Sequence, residues 1–319
     1  MGAGPAGLTA GMYAGRSMLR TVVLERLAEG GGELLNTELV EDYPGFEHIL
    51  GRELSEKFTS HALKFGAELK TFITVERVTR AADGSFETIT DEGDIYRSPT
   101  VIVTAGGTPI KLGIPGELEY AGKGVSYCAI CDGAFFKQHV IAVAGGGDAA
   151  CEEADFLTRY AAKVYLIHRR GEFRASKIIQ KRVFENPKIE VLFDTVVDEV
   201  HADAQGLVNN LRIRDVKTHA HRDLAATGLF VFIGFRPNTG IIAEHVEHDA
   251  MGYIVTDNNM ETSIRGLFAA GDLRSQLVRQ VTTAVGDATT AAIAAEKYLT
   301  ALKSGTAGEP IEGAGGYAV

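Results

Sequence analysis

The feature that most constrains this 319-residue chain is a pattern that occurs twice: a glycine-rich loop, a helix of small and apolar residues, then an apolar strand. The first copy opens the chain as GAGPAGLTAGMYAGRSML and runs into the strand TVVLE at residues 21–25. The second is HVIAVAGGGDAACEEADFLTRY, with a strand at 140–144, a glycine loop at 145–147 and a helix, followed by a strand in AAKVYLIHRR. In a dinucleotide-binding fold the first glycine permits a tight turn and the second lets the backbone approach a pyrophosphate. The third lets the helix lie close on the strand. Gly2, Gly4 and Gly7 have this spacing, and Gly145, Gly147 and Ala150 repeat it. One triplet alone can be an ordinary tight turn. Two copies of the whole unit, each aiming a helix N-terminus at a phosphate position, predict an α/β chain with two Rossmann-like nucleotide-binding domains.

Further strands are expected in TVIVTAGG (100–107), TGLFVFIGFRPNT (227–239) and GLFAAGD (266–272), with a long helix from about Val281 and a loose Gly/Ala-rich tail over the last dozen residues. Only Met1 precedes Gly2, although the fingerprint needs a strand feeding its first turn. The expectation is either that residues precede Met1 in the native chain or that the first cofactor is held poorly.

The end of the next strand distinguishes the two copies. Glu25 can accept hydrogen bonds from an adenosine ribose and would repel a 2′-phosphate, so the first site suits FAD or NAD(H). The second strand ends in His168, Arg169 and Arg170, with Arg174 close behind. Guanidinium groups bind phosphate through charge-assisted hydrogen bonds, which favours NADPH over NADH. A solvated basic patch is the plainer alternative. It needs a reason in a chain of net charge −10, which also argues against a nucleic-acid surface.

Three cysteines cannot build a disulfide framework, and two of them, Cys128 and Cys131, are spaced Cys-x-x-Cys in SYCAICDGAFF. That spacing allows a disulfide to be made and broken with little backbone movement, one sulfur attacking a substrate disulfide and the other resolving it. Asp132 is the candidate acid for the departing thiolate, and partial burial beside Phe135 and Phe136 is expected to keep it protonated. Zinc and two inert core cysteines are the competing readings. Zinc would need two more soft ligands, yet Cys151 stands alone and the histidines are scattered, so no metal is expected. Cys151 reads as a structural residue of the second helix. No apolar run approaches the length of a membrane span and no signal peptide is evident, so the cytoplasm is the expected address.

Taken together and in order, GAGPAG, GGELLNTELVEDYPG, TAGG, CAICDG, GGGDAA, HRRGEFRA, GFRPNT, FAAGD and RQVTTAVGDATTAA resemble the low-molecular-weight, bacterial-type thioredoxin reductases over essentially the whole chain. The resemblance implies a discontinuous FAD domain at 1–111 and 241–319, with an NADPH domain that carries the dithiol inserted at 112–240. Gly4, Pro5, Ala6, Gly32, Glu33 and Asn36 would line the FAD site. Asp272 would lie near the ribityl or phosphate region and Gln280 and Val281 beside the isoalloxazine, with Gly271 and Arg279 also among the cofactor-binding residues. Gly145, Gly147, Asp148 and Ala149 would form the NADPH loop, where Ala149 replaces a hydroxyl residue common in the family. The resemblance further implies a homodimer, reduction of thioredoxin or a thioredoxin-like dithiol protein, and rigid rotation of the inserted domain. A peroxiredoxin-linked reductase and a redox-inactive nucleotide sensor are the alternative functions.

Overall fold

The computed structural model describes residues 1–37, 39–242 and 245–306. The Gly/Ala-rich tail expected from the sequence lies mostly outside the described residues. The chain divides into two compact units, Met1–Thr108 with the chain from Arg236 onward, and Pro109–Phe235.

Within Pro109–Phe235, five parallel strands form one sheet in the order Val125–Ser126, Gly228–Phe232, Val140–Gly145, Lys163–Ile167, Ile189–Leu192. Successive residues of a strand point to opposite faces. Ile141 and Val143 accordingly join one core with Cys151, Leu157, Ile179 and Val183 from the helices Asp148–Leu157 and Lys177–Glu185. Ala142 and Ala144 join the opposite core, with Val197, Leu211 and Ile213. Those three belong to an antiparallel sheet of Thr195–Ala202, Val208–Asp215 and His221–Leu224. Burial on both faces is why Val140–Gly145 is apolar without a polar alternate.

The other unit holds two short parallel pairs, Val22–Leu24 with Glu68–Lys70 and Leu267–Ala269 with Val101–Val103. The first residues of the chain run between them: Gly2 N–H donates to Leu24 O at 2.8 Å and Thr104 N–H to Met1 O at 2.9 Å. Helix Pro5–Arg16 starts with proline, whose fixed φ and missing N–H suit a first turn. It shares a core with the 24-residue helix Val281–Ser304, where Ala284, Ala288, Ala291 and Ala295 recur at alternating spacings of four and three and meet Ala6 and Ala10. Reciprocal bonds between Gln280 and Thr283 cap the start of the long helix, and Gly305, with φ 78°, ends it in the left-handed conformation. The same unit also holds the helix Gly51–Lys64 and an antiparallel sheet of Val75–Arg80, Phe86–Thr90 and Ile95–Ser98.

Candidate functional site

The first cradle is built from glycine. Gly4 caps helix Pro5–Arg16 in an extended conformation, with no side chain bonded across the helix mouth. A Cβ on Gly4 would meet only Gly32 Cα, at 3.8 Å, and Gly32 (φ +54°) would place its own Cβ 3.0 Å from Gly4 Cα. Gly7 lies so close under Gly2 that an added Cβ would fall 1.8 Å from the Gly2 oxygen. The result is a wall bare of side chains at a helix N-terminus, where Pro5 and Ala6 form the first turn. Glu25, 6% exposed, is aimed by the backbone amides of other residues: Oε2 accepts Ala3 N–H at 2.6 Å and Oε1 accepts Leu27 N–H at 2.9 Å. Across the loop Asn36 Nδ2 donates to Glu33 Oε2 at 3.3 Å.

In the same unit Gly271 (φ +81°) turns the chain after Leu267–Ala269, and its N–H donates to Asp287 Oδ2 at 3.2 Å. Arg274 closes on that carboxylate through Nε and Nη2, both at 3.1 Å. Burial raises Asp272 above the ordinary carboxylate range, with Arg279 opposing and Asp287 adding repulsion. Arg279 donates to the Asp272 carbonyl at 3.3 Å and lies 3.7 Å over the Tyr253 ring, just ahead of Gln280 and Val281.

In the second cradle a Cβ on Gly145 would sit 2.4 Å from both Ala150 Cβ and Phe232 O, whereas one on Gly147 meets nothing within 4 Å. Gly147 caps the Asp148–Leu157 helix without a side-chain bond. The loop carrying the arginines is clipped to it, since Arg174 N–H donates to Gly146 O at 2.8 Å and Ser176 N–H to Asp148 Oδ1 at 2.7 Å. Arg169, Arg170, Arg174 and Ala149 are exposed. His168 is not with them at the surface. It is 6% exposed, its ring lies against Gly146, its Nε2 has no hydrogen-bond partner among the described residues, and burial lowers its proton affinity below that of a free histidine.

Cys128 and Cys131 are joined as a disulfide, with Cα atoms 5.3 Å apart. Cys128 caps the short helix Ala129–Asp132, and its Sγ accepts Cys131 N–H at 3.1 Å. Asp132 is partly buried, while Phe135 is 77% exposed and Phe136 packs on Phe230. Its partner is Ser126, whose hydroxyl donates to Asp132 Oδ2 at 2.6 Å. Cys151 is fully buried and its thiol is pushed up to about 12, as expected of an inert core residue.

The model of the pyridine nucleotide-disulphide oxidoreductase family matches residues 1–288. A thioredoxin reductase of Bacillus subtilis is 44% identical over 310 residues, covering 95% of this chain and 94% of the relative. The chain belongs to the thioredoxin reductases of this family. Another thioredoxin reductase, from Streptomyces coelicolor, is 43% identical over 97% of this chain and 96% of its own. Among solved structures, Lactococcus lactis thioredoxin reductase superimposes with a TM-score of 0.90 at 41% identity, covering 94% of this chain and 97% of that one.

Several residues of this reductase's site are absent from the sequence reading. Ser126 precedes Cys128 by two positions, a polar residue in an apolar strand, which is the one signal it offers. Gly146 reads as the middle of a glycine run, but its lack of a side chain is what admits the His168 ring. Glu117 is fully buried and accepts from Leu112 N–H, Gly113 N–H and the Tyr127 hydroxyl at 2.8, 2.6 and 2.9 Å, anchoring the residue next to Cys128. Asp287 lies in an otherwise alanine-rich helix stripe.

Proposed function

We propose that this reductase passes an electron pair from NADPH, by way of bound FAD, into the Cys128–Cys131 disulfide and on to the disulfide of thioredoxin or a thioredoxin-like dithiol protein. The observation that carries the reading is the closed Cys128–Cys131 pair with a hydrogen-bonded carboxyl one residue beyond it. The open glycine wall at Gly4 and Gly32, with the Glu25 carboxylate held in place nearby, suits the pyrophosphate and adenosine ribose of FAD. The Gly271–Asp272 turn and the start of the Val281–Ser304 helix suit its remaining length. The open face at Gly147 and the exposed guanidinium groups of Arg169, Arg170 and Arg174 suit a nucleotide with a 2′-phosphate. FAD, when bound, supplies an acceptor for hydride and a donor of the electron pair to the disulfide.

Once the pair is reduced, the Cys131 N–H aimed at Cys128 Sγ favours the thiolate there. That thiolate attacks the partner disulfide, forming a mixed disulfide and releasing a partner thiolate, which takes a proton from Asp132. Cys131 returns a proton to Asp132 as its sulfur attacks the mixed disulfide. The second partner sulfur leaves, Cys128–Cys131 closes again, and the carboxyl is back where it began. A homodimer in the cytoplasm is the assembly and address we propose from the resemblance. Among the described residues, no helix is long and apolar enough to cross a membrane.

An anaerobic NADPH titration followed by flavin absorbance tests the whole reading. The native protein takes up one electron pair at the flavin and a second at the disulfide, and a protein with Cys128→Ser and Cys131→Ser stops after the first. A native protein that binds no flavin, or that also stops after one pair, overturns the proposal.

A further inference from the structure

Ser126 ends the short strand Val125–Ser126, two residues before the redox pair, and is 4% exposed. Its hydroxyl oxygen is 2.6 Å from Asp132 Oδ2, 3.1 Å from Cys128 O, and accepts Cys128 N–H at 3.1 Å. Cys128 O also accepts Asp132 N–H, at 3.2 Å. One hydroxyl therefore ties the carboxyl of Asp132 to the peptide groups on both sides of Cys128. A hydroxyl has a single hydrogen, and here two acceptors face it. A separation of 2.6 Å is that of a charge-assisted O–H···O⁻ bond, so the hydrogen goes to Asp132 while that carboxyl is ionised. Burial of the serine makes water a poor substitute for it.

We propose that Ser126 is the positioning residue of the proton-transfer step. It holds Oδ2, leaves the proton traded with sulfur to Oδ1, and steadies the carboxylate that forms when Asp132 gives its proton to the departing thiolate. The proposal rests on the reading of Asp132 as the proton donor. Other ionisable groups surround this carboxyl. Cys128 and Cys131 share its helix, Tyr160 lies against Gly133, and the Asp148–Leu157 helix packed on it carries Asp148, Cys151, Glu152, Glu153 and Asp155. None of these is changed by a substitution at Ser126, so a shift seen on removing the hydroxyl reports that hydroxyl.

The test uses the full-length, flavin-loaded protein. Its readouts are the pH profile of kcat/KM for thioredoxin reduction and, separately, the rate at which NADPH bleaches the flavin. Ser126→Ala removes a hydrogen bond from the charged form, so the alkaline limb of the profile moves up by about one pH unit. NADPH still bleaches the flavin at the native rate. Ser126→Thr keeps the hydroxyl and retains the native limb. Adding Ser126→Ala to Asp132→Asn costs nothing further, because the serine acts through the carboxyl. An unmoved limb in Ser126→Ala, beside a limb abolished by Asp132→Asn, overturns the role of Ser126 and leaves that of Asp132 standing. A limb that survives Asp132→Asn overturns the Asp132 reading and this proposal with it. If Ser126→Ala fails to bind flavin, the comparison passes to Ser126→Thr, and a displaced limb there, with flavin reduction intact, counts against the proposal.

Discussion

Gly146 and Gly147 are neighbours in the second glycine loop and face opposite surroundings. A methyl group on Gly146 would fall 2.2 Å from His168 Nδ1, on a ring that is itself buried and cannot step aside. Gly146→Ala is expected to cost about 1–3 kcal/mol of stability, the usual range for overpacking a filled site. Gly147→Ala meets open space and leaves stability nearly unchanged, but it raises the Michaelis constant for NADPH by obstructing the approach of the pyrophosphate. Urea unfolding and steady-state kinetics on the two variants separate these effects, and equal unfolding midpoints would contradict the packing account. Asp272 shows how a buried carboxyl can oppose folding. Burial raises its proton affinity above the ordinary Asp value of 3.8, so the folded chain holds this proton more tightly than the unfolded one. The sign follows: no penalty exists below pH 3.8, stability falls as pH rises from there through the raised folded value, and the full penalty persists at neutrality. Asp272→Asn therefore stabilises the flavin-free protein at pH 7, and its advantage fades as unfolding is measured toward pH 3. A gain that is the same at both pH values would count against burial as the cause.

At the level of elements, helix Val281–Ser304 serves two purposes that pull its sequence in different directions. Its alanine stripe lets helix Pro5–Arg16 come close, and the helix propensity of alanine makes that stripe inexpensive to form. Asp287 interrupts the stripe with a carboxylate that is 8% exposed and joined to Gly271 N–H and the Arg274 guanidinium. Asp287→Ala would leave Arg274, with 16% of its side chain exposed, without this carboxylate, and the Gly271 turn without its acceptor. The expected loss is about 3 kcal/mol, the cost of breaking a largely buried ion pair from one side. Flavin content should fall with it, because the turn bearing Asp272 loses its tie to the helix. Chemical denaturation and the ratio of flavin to protein absorbance check the two parts. The parallel strands Val22–Leu24, Val101–Val103, Val140–Gly145, Lys163–Ile167, Gly228–Phe232 and Leu267–Ala269 and the helices that follow the glycine loops were legible in the sequence, because glycine spacing and continuous apolar runs are local signals, whereas the short parallel strands Glu68–Lys70, Val125–Ser126 and Ile189–Leu192 were not. The antiparallel sheets Val75–Arg80 to Ile95–Ser98 and Thr195–Ala202 to His221–Leu224 were not. Their strands expose one face, carry many charged residues and include register shifts, so no strict alternation marks them.

For the whole molecule, the separation into units has a direct consequence. Pro109–Phe235 is continuous in sequence and has its own two cores, one on each face of its five-stranded sheet. A fragment of those residues is expected to unfold cooperatively in urea and to bind NADPH in preference to NADH. Replacing Arg169 and Arg170 by alanine removes that preference by roughly 2 kcal/mol, about 30-fold. A fragment without a cooperative transition, or one that binds both nucleotides alike, would contradict the assignment of this unit. By itself the sequence determined the two dinucleotide folds, the Cys-x-x-Cys pair and the cluster of arginines behind the second unit's strand, because each is written in residues a few positions apart. Only the tertiary structure decided which atoms meet: that His168 lies under Gly146, that Ser126 holds Asp132, that Asp287 ties down the Gly271 turn, and that Phe136 packs on Phe230. These contacts depend on side-chain direction and burial, which follow from how the whole chain closes on itself and have no local spacing to announce them.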